Sequence, residues 1–99
     1  MKASELSFKA HPAGIGGIQA TGKFKNGWGY SVIQTEFSYG GKEGKYELAV
    51  IGKKGGLHYS NPVAKGDVRG YLTLDEVEVL LTEIENFGEE VKWNDEERL

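Results

Sequence analysis

Cysteine is absent from this chain of 99 residues, and proline occurs only twice. The first absence removes disulfide scaffolds, thiol nucleophiles and cysteine-type zinc sites together. The second separates the chain from proline-rich linkers, although glycine, at 15 residues, is about twice as frequent as usual. Many glycines with few prolines predict tight turns and bulges between short strands. No hydrophobic run approaches a membrane span, and Met1–Gly14 lacks the apolar core of a secretory signal. A small secreted domain usually needs disulfide staples, so a cytoplasmic protein is expected, with no membrane association.

Histidine is scarce too: only His11 and His58. No local motif supplies either with a partner nucleophile or carboxylate, and no metal-ligand spacing such as HxxxH or HExxH is present, so no catalytic residue, metal or cofactor is assigned. His58 reads as a structural imidazole with satisfied ring nitrogens. Asp67 and Arg69 read as loop-structuring. Gly14-Ile15-Gly16-Gly17 lacks the dinucleotide spacing and its following helix, and Gly40–Gly44 lacks the Walker ending. The expectation is a protein that is not an enzyme.

The charge that is present is divided. Residues 1–65 carry nine lysines against four acids, and residues 66–99 carry three basic groups against eleven acids. The halves stand at +5 and −8, which gives the net −3. A basic and an acidic surface on one body are expected. The overall pI near 5.4 disfavours nucleic acid as a partner.

The length predicts one domain over 1–99, with a weakly structured segment over 1–14 and an acidic tail over 89–99. Leu6, Phe8 and Ala10 alternate with polar residues and suit a short edge strand ended by Pro12. Ile18–Lys25 alternates cleanly. Asn26-Gly27 suits a two-residue turn of type I′, which would set Lys25 opposite Trp28 and Lys23 opposite Tyr30. That register points Phe24, Ile33 and Phe37 inward. It leaves Lys23, Lys25, Trp28 and Tyr30 as an outward contact surface.

The second strand is expected to reach about Tyr39. Tyr46–Ile51 reads as the third strand, with Tyr46, Leu48 and Val50 on one face, and Leu57–Ser60 as a short fourth. Val63–Gly70 reads as a loop. Thr73 with Glu76 forms a capping box and opens a helix over Leu74–Phe87 with Gly88 as its stop. Leu74, Val77, Leu80, Leu81, Ile84 and Phe87 form its buried stripe. The fold class is therefore α+β: an antiparallel meander of about four strands with one C-terminal helix packed on one face. Lys42 and Glu43, at the tip of the Gly40–Gly44 loop, and Trp93, alone among acids, complete the candidate binding residues.

Four segments carry a family resemblance: NGWGYSVI (26–33), SYGGKEGKYELAV (38–50), YSNPV (59–63) and DVRGYLTLDEV (67–77). Together they resemble small phage- and prophage-encoded proteins of unknown function. The resemblance spans about three fifths of the chain and brings no catalytic residue with it. It implies a short accessory protein, located in the host cytoplasm, that binds and inhibits or redirects a host macromolecule such as a defence or nucleic-acid-processing complex. Acids on the helix and tail (Glu78, Glu85, Glu89, Glu90, Asp95, Glu96, Glu97) would then imitate phosphates toward a nuclease-like target. A homodimer is an alternative partner for Trp28, Tyr30 and Trp93. The alternative function is a small-ligand or nucleotide binder whose glycine loops, Gly40–Gly44 and Gly52–Gly56, present N–H groups to phosphate.

Overall fold

Alternating apolar and polar residues form the strands, and a 3.6-residue stripe forms the helix. The computed structural model describes residues 1–65 and 68–92. Among these residues five strands form one antiparallel sheet in sequential order: β1 (Lys9–Ala10), β2 (Ile18–Lys23), β3 (Gly29–Gln34), β4 (Tyr46–Ile51) and β5 (Arg69–Leu72). A helix, α1 (Leu74–Glu85), packs on one face. The expected α+β meander is present, with one strand more than anticipated.

The β2–β3 register departs from expectation by one residue. Ala20 pairs with Val32, Gly22 with Tyr30 and Lys23 with Gly29. The loop between them holds three residues, Lys25, Asn26 and Gly27. Phe24 closes it by accepting from Gly27 N at 3.0 Å and donating its own N–H to Trp28 O at 2.7 Å. Gly27 is left-handed at φ 91°, whereas Asn26 is not among the positive-φ residues. This is a turn followed by a left-handed glycine, not a type I′ pair.

A one-residue shift moves a whole strand set to the other face. Trp28, Tyr30 and Val32 therefore join Ala20 and Phe24 on the helix-facing side. Trp28 is 1% exposed and Tyr30 6%, so neither belongs to an outward surface. Ile33, expected inward, is half-buried on the opposite face beside Glu47. Phe24 packs against the core as expected. The Tyr30 ring lies directly over Gly22, where a Cβ would overlap its hydroxyl.

Strand β4 keeps its predicted bounds, with Leu48 and Val50 buried. Leu57–Ser60 does not form a full strand: Leu57 makes an isolated bridge to Ile51, and His58 N donates to Val50 O at 2.9 Å. The last strand is instead Arg69–Leu72, which begins in the final two residues of the Val63–Gly70 stretch read as a loop and runs past it. It pairs with β4 through Tyr46–Leu72 and Leu48–Arg69.

Helix α1 begins at the predicted capping box. Glu76 N donates to Thr73 Oγ1 at 3.2 Å and Thr73 N donates to Glu76 Oε1 at 3.0 Å. Val77, Leu80, Leu81 and Ile84 are buried against Val32, Leu48, Val50 and Leu72. Each such side chain contributes about 1.5–3 kcal/mol by leaving water. Leu74 is excluded from the stripe and is 40% exposed. The helix ends at Glu85, with Asn86 as its cap, and Gly88 is not left-handed.

The helix end is held from the hairpin. Asn26 Nδ2 donates to the carbonyls of Ile84 (2.9 Å), Glu85 (3.1 Å) and Phe87 (3.3 Å), while Asn26 Oδ1 accepts from Trp28 N at 3.0 Å. Trp28 meets Phe87 and His58 edge-on, with ring centroids 5.1 and 4.6 Å apart. His58 is buried with both ring nitrogens bonded, as the sequence suggests. Nε2 lies 2.7 Å from the Lys92 carbonyl, and Nδ1 lies 3.2 Å from the Asn61 amide. That pairing requires the neutral tautomer with its proton on Nε2. Val91 is also buried, so the start of the acidic tail packs on the core.

The N-terminal segment forms a 3₁₀ turn over Ala3–Glu5 before β1. Ala3 N donates to Glu78 Oε1 at 2.8 Å, and Met1, Leu6 and Phe8 pack against the core.

Candidate functional site

Among the described residues, the exposed large aromatic side chains lie where the β3–β4 connection meets β5. Phe37 is 72% exposed, Tyr39 56% and Tyr71 57%. Phe37 was expected inward; the chain leaves the sheet before reaching it. Thr35, itself buried, stops the strand with its side chain. Its Oγ1 accepts from Phe37 N (3.1 Å) and Ser38 N (3.0 Å). Ser38 Oγ donates to Thr35 O at 3.0 Å and accepts from Thr35 N at 2.9 Å. These local side-chain bonds outcompete the ladder.

The loop is then anchored to its neighbours. Tyr39 N donates to Glu47 Oε2 at 2.9 Å, and Tyr39 O accepts from Tyr71 N at 3.0 Å. A Cβ on Gly70 would overlap that of Tyr39, so the backbone of β5 passes directly beneath the Tyr39 side chain. Strand β5 bulges between its two β4 pairs, and within that bulge Tyr71 adopts φ 57°. It is the one non-glycine residue with positive φ among those described. Such a conformation costs about 1–3 kcal/mol and persists where surrounding structure imposes it. Bulges re-aim side chains, and here the aromatic ring projects into solvent.

Lys42 and Glu43 are exposed on the 3₁₀ turn Gly41–Glu43, which left-handed Gly40 and Gly44 bracket. The glycine loops spend their donors internally. Gly41 N bonds Ser38 O, Glu43 N and Lys45 N bond Gly40 O, and Gly44 N bonds Gly41 O. In the second loop Gly52 N bonds Gly56 O and Gly55 N bonds Gly52 O. These N–H groups are turned inward and do not form a phosphate cradle.

The charges beside the aromatic rings are mixed. The Glu76 carboxyl is held below its ordinary range by the Thr73 backbone N–H, then by the Thr73 hydroxyl, with Lys45 and Arg69 adding to the effect. Burial pushes the Tyr30 phenol up, and Glu5 adds to it. Among the described residues no three His, Asp or Glu side chains gather to hold a metal ion.

The residues proposed from sequence thus separate. Lys23 and Lys25 are exposed in and after β2, Lys42 and Glu43 are exposed on the β3–β4 connection, and Trp28 and Tyr30 are interior. Lys23 borders a shallow groove of about 470 Å³ on the sheet face away from α1, with Gln19, Thr21, Ser31, Ile51 and Leu57. Trp93 and Asp67 lie outside the described residues. Tyr39 and Tyr71 were missed. For Tyr71 the available signal was a glycine followed by an aromatic, which suits a strand bulge.

Comparison of the chain with protein-family models, with curated proteins and with solved structures finds no match. Among the described residues no helix is long and apolar enough to cross a membrane.

Proposed function

We propose that this chain is a small non-enzymatic binding protein whose contact surface is the aromatic end formed by Phe37, Tyr39 and Tyr71 with Lys42 and Glu43. The observation that carries this is Tyr71, a solvent-exposed ring on a left-handed, bulged backbone. A glycine there would remove the strain, and a polar residue would remove the apolar exposure. Tyrosines on a rigid backbone are effective anchors because little freedom is lost on binding. The mixed charge around them suits a protein partner better than a polyanion. With the phage-type resemblance, the reading is an accessory protein that engages a host protein and inhibits or redirects it in the host cytoplasm.

The test compares the parent with a Phe37→Ser/Tyr39→Ser/Tyr71→Ser variant. Each is used to capture proteins from bacterial lysate, and the captured protein is then purified and titrated by calorimetry. A partner that binds the parent at least about tenfold more tightly supports the surface, since two or three buried aromatic anchors carry that much or more. Equal binding by both chains, or nothing above background at low salt, removes it.

A further inference from the structure

We propose that Asn26 is a modification site whose chemistry is gated by the fold: the Asn26-Gly27 bond rearranges through a succinimide when the helix end releases the side chain, and the product no longer fits the place it left.

The reaction needs no reagent but water. The Gly27 backbone nitrogen gives up its proton and attacks Asn26 Cγ. The Cγ–Nδ2 bond breaks, and ammonia leaves carrying the proton. Water then opens the five-membered imide at either carbonyl and leaves an aspartate or an isoaspartate at position 26. Asparagine is among the thermolabile residues, and a following glycine has no side chain to crowd the ring closure.

In the folded chain each reacting group is engaged. The nucleophile, Gly27 N–H, donates to Phe24 O at 3.0 Å. The leaving amide donates to the carbonyls of Ile84, Glu85 and Phe87. The carbonyl oxygen accepts from Trp28 N at 3.0 Å. Bonds at both ends of the amide fix its rotation, so attack requires local opening of the loop from α1.

The product inverts the chemistry of the contact. Three carbonyl acceptors at the negative end of a helix would face a carboxylate, which offers no donor when ionised. The isoaspartate form also routes the backbone through Cβ and so lengthens the path of the loop that joins β2 to β3. One opening event thereby becomes permanent, and chains that have opened are marked at position 26.

The test holds the full chain in mildly alkaline buffer, with and without urea, and follows position 26 by peptide mapping that separates amide, aspartate and isoaspartate. Conversion about tenfold or more slower in the folded chain than in urea is expected, since protection reflects the local opening equilibrium. A Leu81→Ala chain, loosened at α1, is expected to convert faster than the parent in native buffer. An Asn26→Asp chain is expected to melt at lower temperature than the parent, or not to fold. Equal rates with and without urea, no conversion in urea, no acceleration by Leu81→Ala, or an Asn26→Asp chain as stable as the parent would each overturn the proposal.

Discussion

The Asn26 side-chain amide donates to the carbonyl oxygen of Ile84 at 2.9 Å, joining a hairpin loop to a helix end 58 positions away. The last turn of α1 has no basic residue, and the final carbonyls of any helix lack intrahelical partners. The amide supplies what a C-terminal lysine would otherwise supply. Asn26→Ala removes the side-chain donor from these carbonyls, of which Ile84 O retains the Phe87 N–H at 3.1 Å, and should destabilise the protein by about 1–3 kcal/mol. A urea unfolding curve measures this, and an unchanged midpoint would show that water replaces the amide without loss.

Trp28 tests the register. On an outward face its removal would be close to neutral. Packed edge-on between Phe87 and His58 at 1% exposure, it should cost about 3–5 kcal/mol as Trp28→Ala. A thermal melt near that of the parent would return the residue to the surface.

Tyr71 should show opposite effects on stability and on binding. Left-handed backbone costs a non-glycine residue about 1–2 kcal/mol, and glycine gives part of that back through a freer unfolded chain. Tyr71→Gly should therefore raise stability by up to about 1 kcal/mol while weakening the partner complex. Loss of stability on this change would mean that the ring holds the loop rather than facing a partner.

Gly70→Ala should act on the same surface from below. The added Cβ would overlap the Tyr39 Cβ, so the loop must lift and the Tyr71 N to Tyr39 O bond must stretch. Faster hydrogen exchange at the Tyr71 amide, with α1 amides unchanged, is the expected signature.

The capping box predicts an acid-sensitive step. The folded-state pKa of Glu76 is depressed, chiefly by the Thr73 N–H. Its contribution is therefore present above the ordinary glutamate range and is lost as pH falls through that range toward the folded value. Glu76→Gln keeps the reciprocal bonds without the charge. The stability difference between parent and variant should shrink as pH falls through this window, which urea midpoints at several pH values would show.

Local patterns were legible and long-range choices were not. The bounds of β4, the Thr73–Glu76 box and the Val77–Leu80–Leu81–Ile84 stripe depend on neighbours a few positions apart, and all three stand in the structure. The hairpin register does not depend on neighbours alone. Asn-Gly suits both two- and three-residue loops, and here the three-residue loop accompanies an Asn26 side chain that is engaged with α1. Phe37 was misplaced because Thr35 and Ser38 bend the chain through side-chain bonds that leave no periodic trace. Strand β5 is four residues long and interrupted by a bulge, so its pairing with β4 defines it more than its own alternation does. The aromatic end was legible only at Lys42 and Glu43, because Tyr39 and Tyr71 meet through tertiary contact.

The loop of Lys25, Asn26 and Gly27 makes inside and outside depend on which residue faces Trp28 across the hairpin. Phe24 does so here, and opposite partners share a face, so the indole and the Phe24 ring lie on one side of the sheet with α1. A slip that set Lys25 opposite Trp28, with β2 in place, would offer Gly29, Ser31 and Ile33 to α1 and put an indole, a phenol and a valine in water. One turn thus decides which side of β3 is the interior.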